Sequence, residues 1–355
     1  MRLSSKKALG ILRRSVTPGR PYHAQWLLTR KCNYRCRSCL VWQDQEPSKE
    51  LSTNEIKQGL DILRKLGVVE VVFSGGNPLL RDDIGEIIDY SSRHFITTVY
   101  DNGSTALRKI DALRNVDFVA ISLDTLDEKR NDYARGVSGA WRRSMDAIEK
   151  LREEGISVGV SPTISQFNLH EIVDITKYFT DRGTSVWYCL YWYDVPVQSR
   201  LFELGEKNDE LEIVDRNAVA KVCDELIEMK KERQGILITT KTLMALKQFF
   251  LNGQRSWRCR ALQGFLMINN LGNVAGCHCS EPVASIFDLP HVWKSPTFEG
   301  LREKNAQCEK CAYLCYVFYS LHSSVLSNME ILWDQWKNVK SLLGHATKSR
   351  KIQEA

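Results

Sequence analysis

No run of roughly 20 uncharged apolar residues occurs in this 355-residue chain, so the sequence encodes no membrane-spanning helix. Internal repeats and low-complexity tracts are also missing, which excludes solenoids and extended disordered assemblies. There is no compact Lys/Arg run with interleaved aromatics, and the net charge is a mild +6, so no nucleic acid partner is expected. The N-terminus carries Arg2, Lys6, Lys7, Arg13 and Arg14 but lacks the apolar centre and small-residue cleavage site of a signal peptide. Residues 1–20 read as a basic terminal segment, either solvated or resting on a membrane surface. The expected location is cytoplasmic, with peripheral membrane association as the alternative.

Cysteine, by contrast, is plentiful. The chain has eleven, an odd number, and nine fall in two tight groups. Secreted proteins disperse their cysteines in pairs, whereas grouped cysteines in a cytosolic chain read as metal ligands. A hydrophobic fraction of 43% supports one large domain with a smaller one attached.

Short apolar runs alternate with longer amphipathic stretches between Gln25 and Asp194. The strand-like runs are Gln25–Thr29, Val68–Phe73, Ile96–Tyr100, Phe118–Leu123, Val158–Thr163 and Val186–Tyr191. Helical patterns lie between them, as at Thr53–Leu66 and Ala140–Glu154. This alternation predicts an α/β fold with a parallel sheet. Six units fall short of a closed eightfold barrel, so a partial (β/α)6 barrel is expected over residues 21–200. Residues 201–258 read as a helical connection, and 259–320 as a small cysteine-rich α+β extension with a hairpin turn at Asn270-Leu271-Gly272. From 321 to 355 an apolar stripe of Val325, Met329, Leu332, Trp336, Val339 and Leu343 predicts an amphipathic terminal helix and a tail.

Cys32, Cys36 and Cys39 follow the first strand at a spacing of Cys-x3-Cys-x2-Cys. Three thiolates on one loop can converge on one metal centre and leave a position open, whereas a structural zinc site takes four ligands. The motif and its place resemble the radical S-adenosylmethionine (radical SAM) enzymes. That resemblance implies a site-differentiated [4Fe–4S] cluster on these cysteines and S-adenosylmethionine (AdoMet) on its open iron. It also implies an external electron donor and a deoxyadenosyl radical that abstracts hydrogen from substrate. The likeness extends over residues 21–200. Gly75-Gly76-Asn77-Pro78 is similar to the family's Gly-Gly-Glu-Pro, which meets the AdoMet amino group, with Asn77 replacing the usual Glu. Asn102 lies where the family has Thr-Asn-Gly, and Ser122 and Asp124 form its Ser-x-Asp. Asp132 and Arg135-Gly136 resemble its His-Asp-x-x-Arg-Gly stretch, with Asn131 in place of His, and Thr163 and Asn168 match positions around strand five. Tyr34 either borders adenine or covers the cluster, and Ser38 replaces a usual apolar or aromatic residue.

The second group comprises Cys259, Cys277, Cys279, Cys308, Cys311 and Cys315. The Cys259–Cys277 spacing, with Gly272 between, resembles the opening of the SPASM and twitch regions of radical SAM proteins. The shorter, twitch-like form is expected, with one auxiliary [4Fe–4S] cluster on Cys259, Cys277, Cys308 and Cys311. Cys315 and Cys279 are alternates, and zinc remains an alternative occupant. Cys189 and Cys223 stand alone and read as packing residues, although Cys189 ends strand six and faces the site.

The resemblance implies an enzyme that oxidises, or forms a bond in, a small metabolite or lipid-derived molecule. A ribosomal peptide maturase is the alternative; its usual N-terminal peptide-binding domain is not expected from the roughly 20 residues before the first strand. A non-catalytic zinc or iron–sulfur interaction protein is the third reading. Trp187, Tyr188, Tyr191, Trp192 and Tyr193 either line a substrate pocket or pack the core, and Asp194, Arg200 and Glu203 either meet a polar substrate or are solvated. No general base stands out.

Overall fold

The computed structural model describes residues 20–43, 49–192, 207–309, 311–322, 330–331 and 333–335. The basic N-terminal segment, the C-terminal apolar stripe, Tyr193, Asp194, Arg200 and Glu203 lie outside the described residues.

Six βα units form as the alternation predicts. The strands are β1 (His23–Thr29), β2 (Glu70–Gly75), β3 (Ile96–Asp101), β4 (Phe118–Ser122), β5 (Val158–Ser161), β6 (Thr163–Ile164), β7 (Ser185–Val186) and β8 (Cys189–Leu190). The expected fifth strand, Val158–Thr163, is broken at Pro162, which has no N–H to donate to a ladder. Its continuation β6 pairs with β8 in a separate two-stranded sheet. The connecting helices end where their sequences say they should. Thr53–Leu66 starts on a capping box between Ser52 and Glu55 and stops at Gly67, whose φ is 94°.

The cysteine-rich segment contributes β9 (Phe265–Ile268), β10 (Asn273–Ala275) and β11 (Ala284–Ser285). The hairpin is as expected, but its attachment is not. β9 pairs with β1 in parallel, His23 opposite Phe265, so the extension continues the barrel sheet. The order across nine strands is β11-β10-β9-β1-β2-β3-β4-β5-β7. The helix Leu314–Leu321 lies across the open side. Tyr316 stacks on Phe265 at 4.8 Å, and Phe318 meets Trp187 edge-on at 5.3 Å.

The two faces of the sheet differ in chemistry. Outward residues such as Trp26, Leu28, Val71, Phe73, Val99 and Ile121 are buried against the helices as the main core. The alternate, inward residues mix polar and apolar side chains and line a cavity: His23 and Gln25 on β1, Glu70, Val72 and Ser74 on β2, Ile96, Thr98 and Tyr100 on β3. Closed barrels fill this space with branched apolar side chains. Here a mixed set of polar and apolar side chains leaves about 550 Å³ open, within the usual range of a ligand pocket.

Candidate active site

Each strand hands its C-terminal residues to the top of this cavity. Cys32, Cys36 and Cys39 follow β1, Gly75 and Gly76 close β2, Asn102 follows β3, Ser122 ends β4, and Thr163 follows β5. All of them line the cavity, as does Arg135.

Burial raises the Cys32 and Cys36 thiols above their ordinary range, and it pushes Cys39 up to about 12. For Cys36 the Arg135 guanidinium works in the opposite direction, by charge and by a hydrogen bond. Arg135 is in turn held by Asp124 at 2.8 Å. Three half-buried thiols with a fixed cation beside one of them fit an anionic cluster, since the thiolate is the form that ligates. Among the described residues no three Cys, His or carboxylate side chains gather closely enough for a single ion. A four-iron cluster asks less convergence, because each thiolate takes its own iron. Cys32, Cys36 and Cys39 would hold the cluster, and the chemistry it would supply there is one-electron reduction of AdoMet.

The surrounding residues shape and hold the cysteine loop. Gly76 donates its N–H to the Thr29 carbonyl at 2.7 Å, and Asn77 donates to the Lys31 carbonyl at 2.8 Å. A Cβ on Gly76 would stand 2.1 Å from the Lys31 oxygen. The glycine is therefore needed for the approach of β2 to the cysteine loop, as well as for its place on the cavity. Gly136 does the same from the other side: at φ 64°, an added Cβ would meet the Arg35 carbonyl at 2.1 Å.

Asn77, Pro78 and Asp124, expected among the cofactor contacts, do not line the main cavity. Asn77 is buried, accepts from the Leu79 N–H at 3.0 Å, and donates to Asn102 at 3.1 Å and Thr105 at 3.2 Å. Its amide serves two neighbouring turns, a task a carboxylate could not perform because it cannot donate. Pro78 opens the short 3-10 turn that Asn77 caps. Asp124 receives the Thr163 N–H at 2.9 Å besides Arg135. It acts from behind the cavity wall.

Other residues from the motif set are also supports. Asn102 donates to Asn33 on the cysteine loop at 3.0 Å. Asn131, standing where the family has His, accepts from the Asp124 N–H at 2.9 Å. Asp132 receives the Trp141 N–H at 2.8 Å and so caps the next helix. Asn168 donates to the Asp124 and Thr163 carbonyls at 2.8 and 2.9 Å. Tyr34 is buried with its hydroxyl bonded to Arg143 at 2.9 Å and is absent from the cavity wall, whereas Ser38 is part of it.

In the second group, burial pushes Cys259 up to about 11, with Cys277 and Cys308 as charged neighbours. Cys311 rises to about 12 by burial, with Cys277 and Cys259 as neighbours. The four expected auxiliary ligands thus share one locale. Arg255 donates to the Cys308 and Cys311 carbonyls and lies 3.6 Å from the Cys311 sulfur. Four half-buried thiols and a guanidinium fit an anionic auxiliary cluster. Cys315 packs against the same hydrophobic cluster and also has Cys311 as a neighbour. It lines the barrel cavity, is raised by burial, and has Cys189 as its first charged neighbour. Cys189 lines the same cavity with Ser161 at 3.6 Å. Cys223 is buried in the main core. Trp187, Tyr191 and Trp192 line the cavity, while Tyr188 packs in the core and shares a 2.7 Å hydrogen bond with Thr176.

Sequence reasoning missed Tyr100, His23, Glu70 and Tyr319 on the cavity wall, and Arg255 beside the second group. The signal for the first three was polar residues at alternate positions of strands whose other face is apolar. Among the described residues no helix is long and apolar enough to cross a membrane.

The sequence model of the Radical SAM superfamily matches residues 26–179. The AdoMet-dependent heme synthase of Oleidesulfovibrio alaskensis is 32% identical over 318 residues, 81% of this chain and 79% of that protein. Mycofactocin maturase MftC of Mycobacterium ulcerans is 29% identical over 313 residues, 82% and 80% of the two chains. In fold, the chain is similar to Streptococcus suis SuiB bound to its precursor peptide SuiA, with a TM-score of 0.63 and 16% identity over 91% of this chain and 75% of that one. Together with the three-cysteine loop at the mouth of a partial barrel, these likenesses place the chain in the radical SAM superfamily.

Proposed function

We propose that this radical SAM enzyme oxidises, or forms a bond in, a small organic molecule held inside the barrel, and that the molecule is a tetrapyrrole. The observation that carries this reading is the 550 Å³ cavity beneath the first cysteine group, with Trp187, Tyr191, Trp192 and Phe318 on its wall. Aromatic faces suit a flat macrocycle, since offset stacking adds to area burial. The heme synthase relative, aligned over most of both chains, supports the class. Cys259, Cys277, Cys308 and Cys311 are proposed to hold an auxiliary cluster that accepts an electron from the substrate, which favours oxidation. An external low-potential donor supplies the first cluster.

The test is anaerobic reconstitution followed by measurement of 5′-deoxyadenosine with AdoMet and dithionite. Added iron coproporphyrin III is expected to stimulate release several-fold and to yield a new porphyrin mass. No stimulation and no new mass would defeat the reading.

Peptide maturation is the second reading, supported by the maturase MftC relative. Stimulation by a peptide, with the tetrapyrrole inert, would establish it instead.

A further inference from the structure

The floor of the cavity carries a polar group that the radical chemistry does not use. His23 opens β1 and Glu70 opens β2, and the register sets them side by side. His23 Nδ1 donates to Glu70 Oε2 at 3.0 Å, and the Tyr319 hydroxyl donates to the same oxygen at 2.6 Å. The Tyr319 ring stacks on the imidazole, with centroids 3.9 Å apart and planes at 18°.

A clasp between the closing helix and the sheet accounts for Tyr319 and Glu70. It does not account for the imidazole. His23 is 4% exposed and lines the cavity, and its Nε2 makes no hydrogen bond with any described residue. Nε2 is not a buried atom left unpaired; it opens onto the cavity, where a bound ligand can reach it. A carboxylate on Nδ1 fixes the tautomer and aims the Nε2 lone pair at the cavity. That is the arrangement by which proteins orient a metal-ligating histidine and raise its basicity.

We infer that His23 is an axial ligand to the iron of a metallotetrapyrrole bound in the barrel, with Glu70 as its positioning residue. This rests on the tetrapyrrole reading above. Six residue steps along β1 separate His23 from Thr29 beside the cysteine loop, roughly 20 Å of strand. Ligation at the floor therefore anchors the macrocycle by its centre or far side and leaves its periphery towards the radical site. The Nε2–iron coordinate bond forms when the macrocycle binds and stays in place during the radical chemistry; its role is to set position.

Binding can be tested without turnover. The cluster-loaded protein is titrated under anaerobic conditions with iron(III) coproporphyrin III and, separately, with the metal-free macrocycle. Soret absorption and EPR report the iron, and fluorescence reports the metal-free form. His23→Gln is expected to weaken the iron complex 10-fold or more and to shift its Soret band, with added imidazole restoring the band. Binding of the metal-free macrocycle should be unchanged. Glu70→Gln keeps the ligand atom and is expected to cost roughly 10-fold for iron binding; it serves where His23→Gln fails to fold, judged by cluster iron content and circular dichroism. Identical iron spectra and affinities in wild type and both variants, with the metal-free macrocycle still bound, would overturn the ligation while sparing the tetrapyrrole reading. Failure of wild type to bind either macrocycle would end both.

Discussion

The guanidinium of Arg135 sits 2.8 Å from the Asp124 carboxylate, and its charge opposes the burial-driven rise of the Cys36 thiol. Strand β4 delivers Asp124's neighbour Ser122, and the helix Glu128–Arg135 ends on Arg135. A pair formed within one βα unit thus fixes one positive charge at the cluster loop.

Breaking that pair should be costly. Arg135→Ala leaves a largely buried Asp124 without its partner, a change worth about 3–5 kcal/mol. Arg135→Lys keeps the charge but loses the planar fork, and is expected to fold with iron bound and AdoMet affinity reduced about 10-fold. Denaturant titration and equilibrium dialysis with AdoMet check the two effects. Unchanged AdoMet affinity in Arg135→Lys would confine the residue to a structural role.

Gly76→Ala should unseat the first cluster. The new Cβ would press on the Lys31 carbonyl at 2.1 Å, a backbone atom that cannot swing aside. Reconstituted Gly76→Ala is expected to lose about four irons per chain, one cluster's worth. AdoMet cleavage should be lost with them.

The cysteines divide the iron in two. With all of Cys32, Cys36 and Cys39 changed to Ala, iron per chain should fall from roughly eight to roughly four. Cys259→Ser is expected to remove the other four. Cys315→Ser, whose sulfur faces the barrel cavity and Cys189, should keep all eight. Loss of iron in Cys315→Ser would reassign the auxiliary ligands.

The half-buried thiols predict opposite pH responses in the free and loaded proteins. In the folded chain burial raises Cys39 and Cys311 to about 12 and Cys259 to about 11, from ordinary values of 9.0. The stabilising contribution of protonated thiols is complete below pH 9.0 and is lost as pH rises through these higher values. The metal-free protein should therefore unfold more easily at about pH 10.5 than at about pH 8. Ligation instead needs thiolates, so cluster loading releases protons and tightens as pH rises. Denaturation curves of both forms at the two pH values, with a pH indicator during loading, decide the matter. A metal-free protein equally stable at both would contradict the burial argument.

Much of the working end was legible in the chain. The spacing of Cys32, Cys36 and Cys39 after an apolar strand announced a three-thiolate loop, and the order of Gly76, Asn102, Ser122 and Arg135 along successive units put them at one rim. Local rules carried that far because a parallel sheet sends every strand's C-terminal end the same way. The reading was weaker for Asn77 and Asp124. A motif states which residue stands at a turn, but hydrogen-bond partners decide whether its side chain faces the cavity or braces the wall.

Sequence alone, then, determined the six βα units, the hairpin around Gly272 and the two cysteine groups, all products of local periodicity, turn chemistry and spacing. Tertiary structure decided what depends on pairing distant segments. It set β9 against β1, put Cys315 on the barrel cavity with both Cys189 and Cys311 as neighbours, and brought Tyr319 across 249 residues to Glu70. Inside the barrel it made the inward positions of six strands into one cavity, because the period-2 alternation that buries Trp26 and Phe73 outside necessarily turns His23 and Glu70 inward.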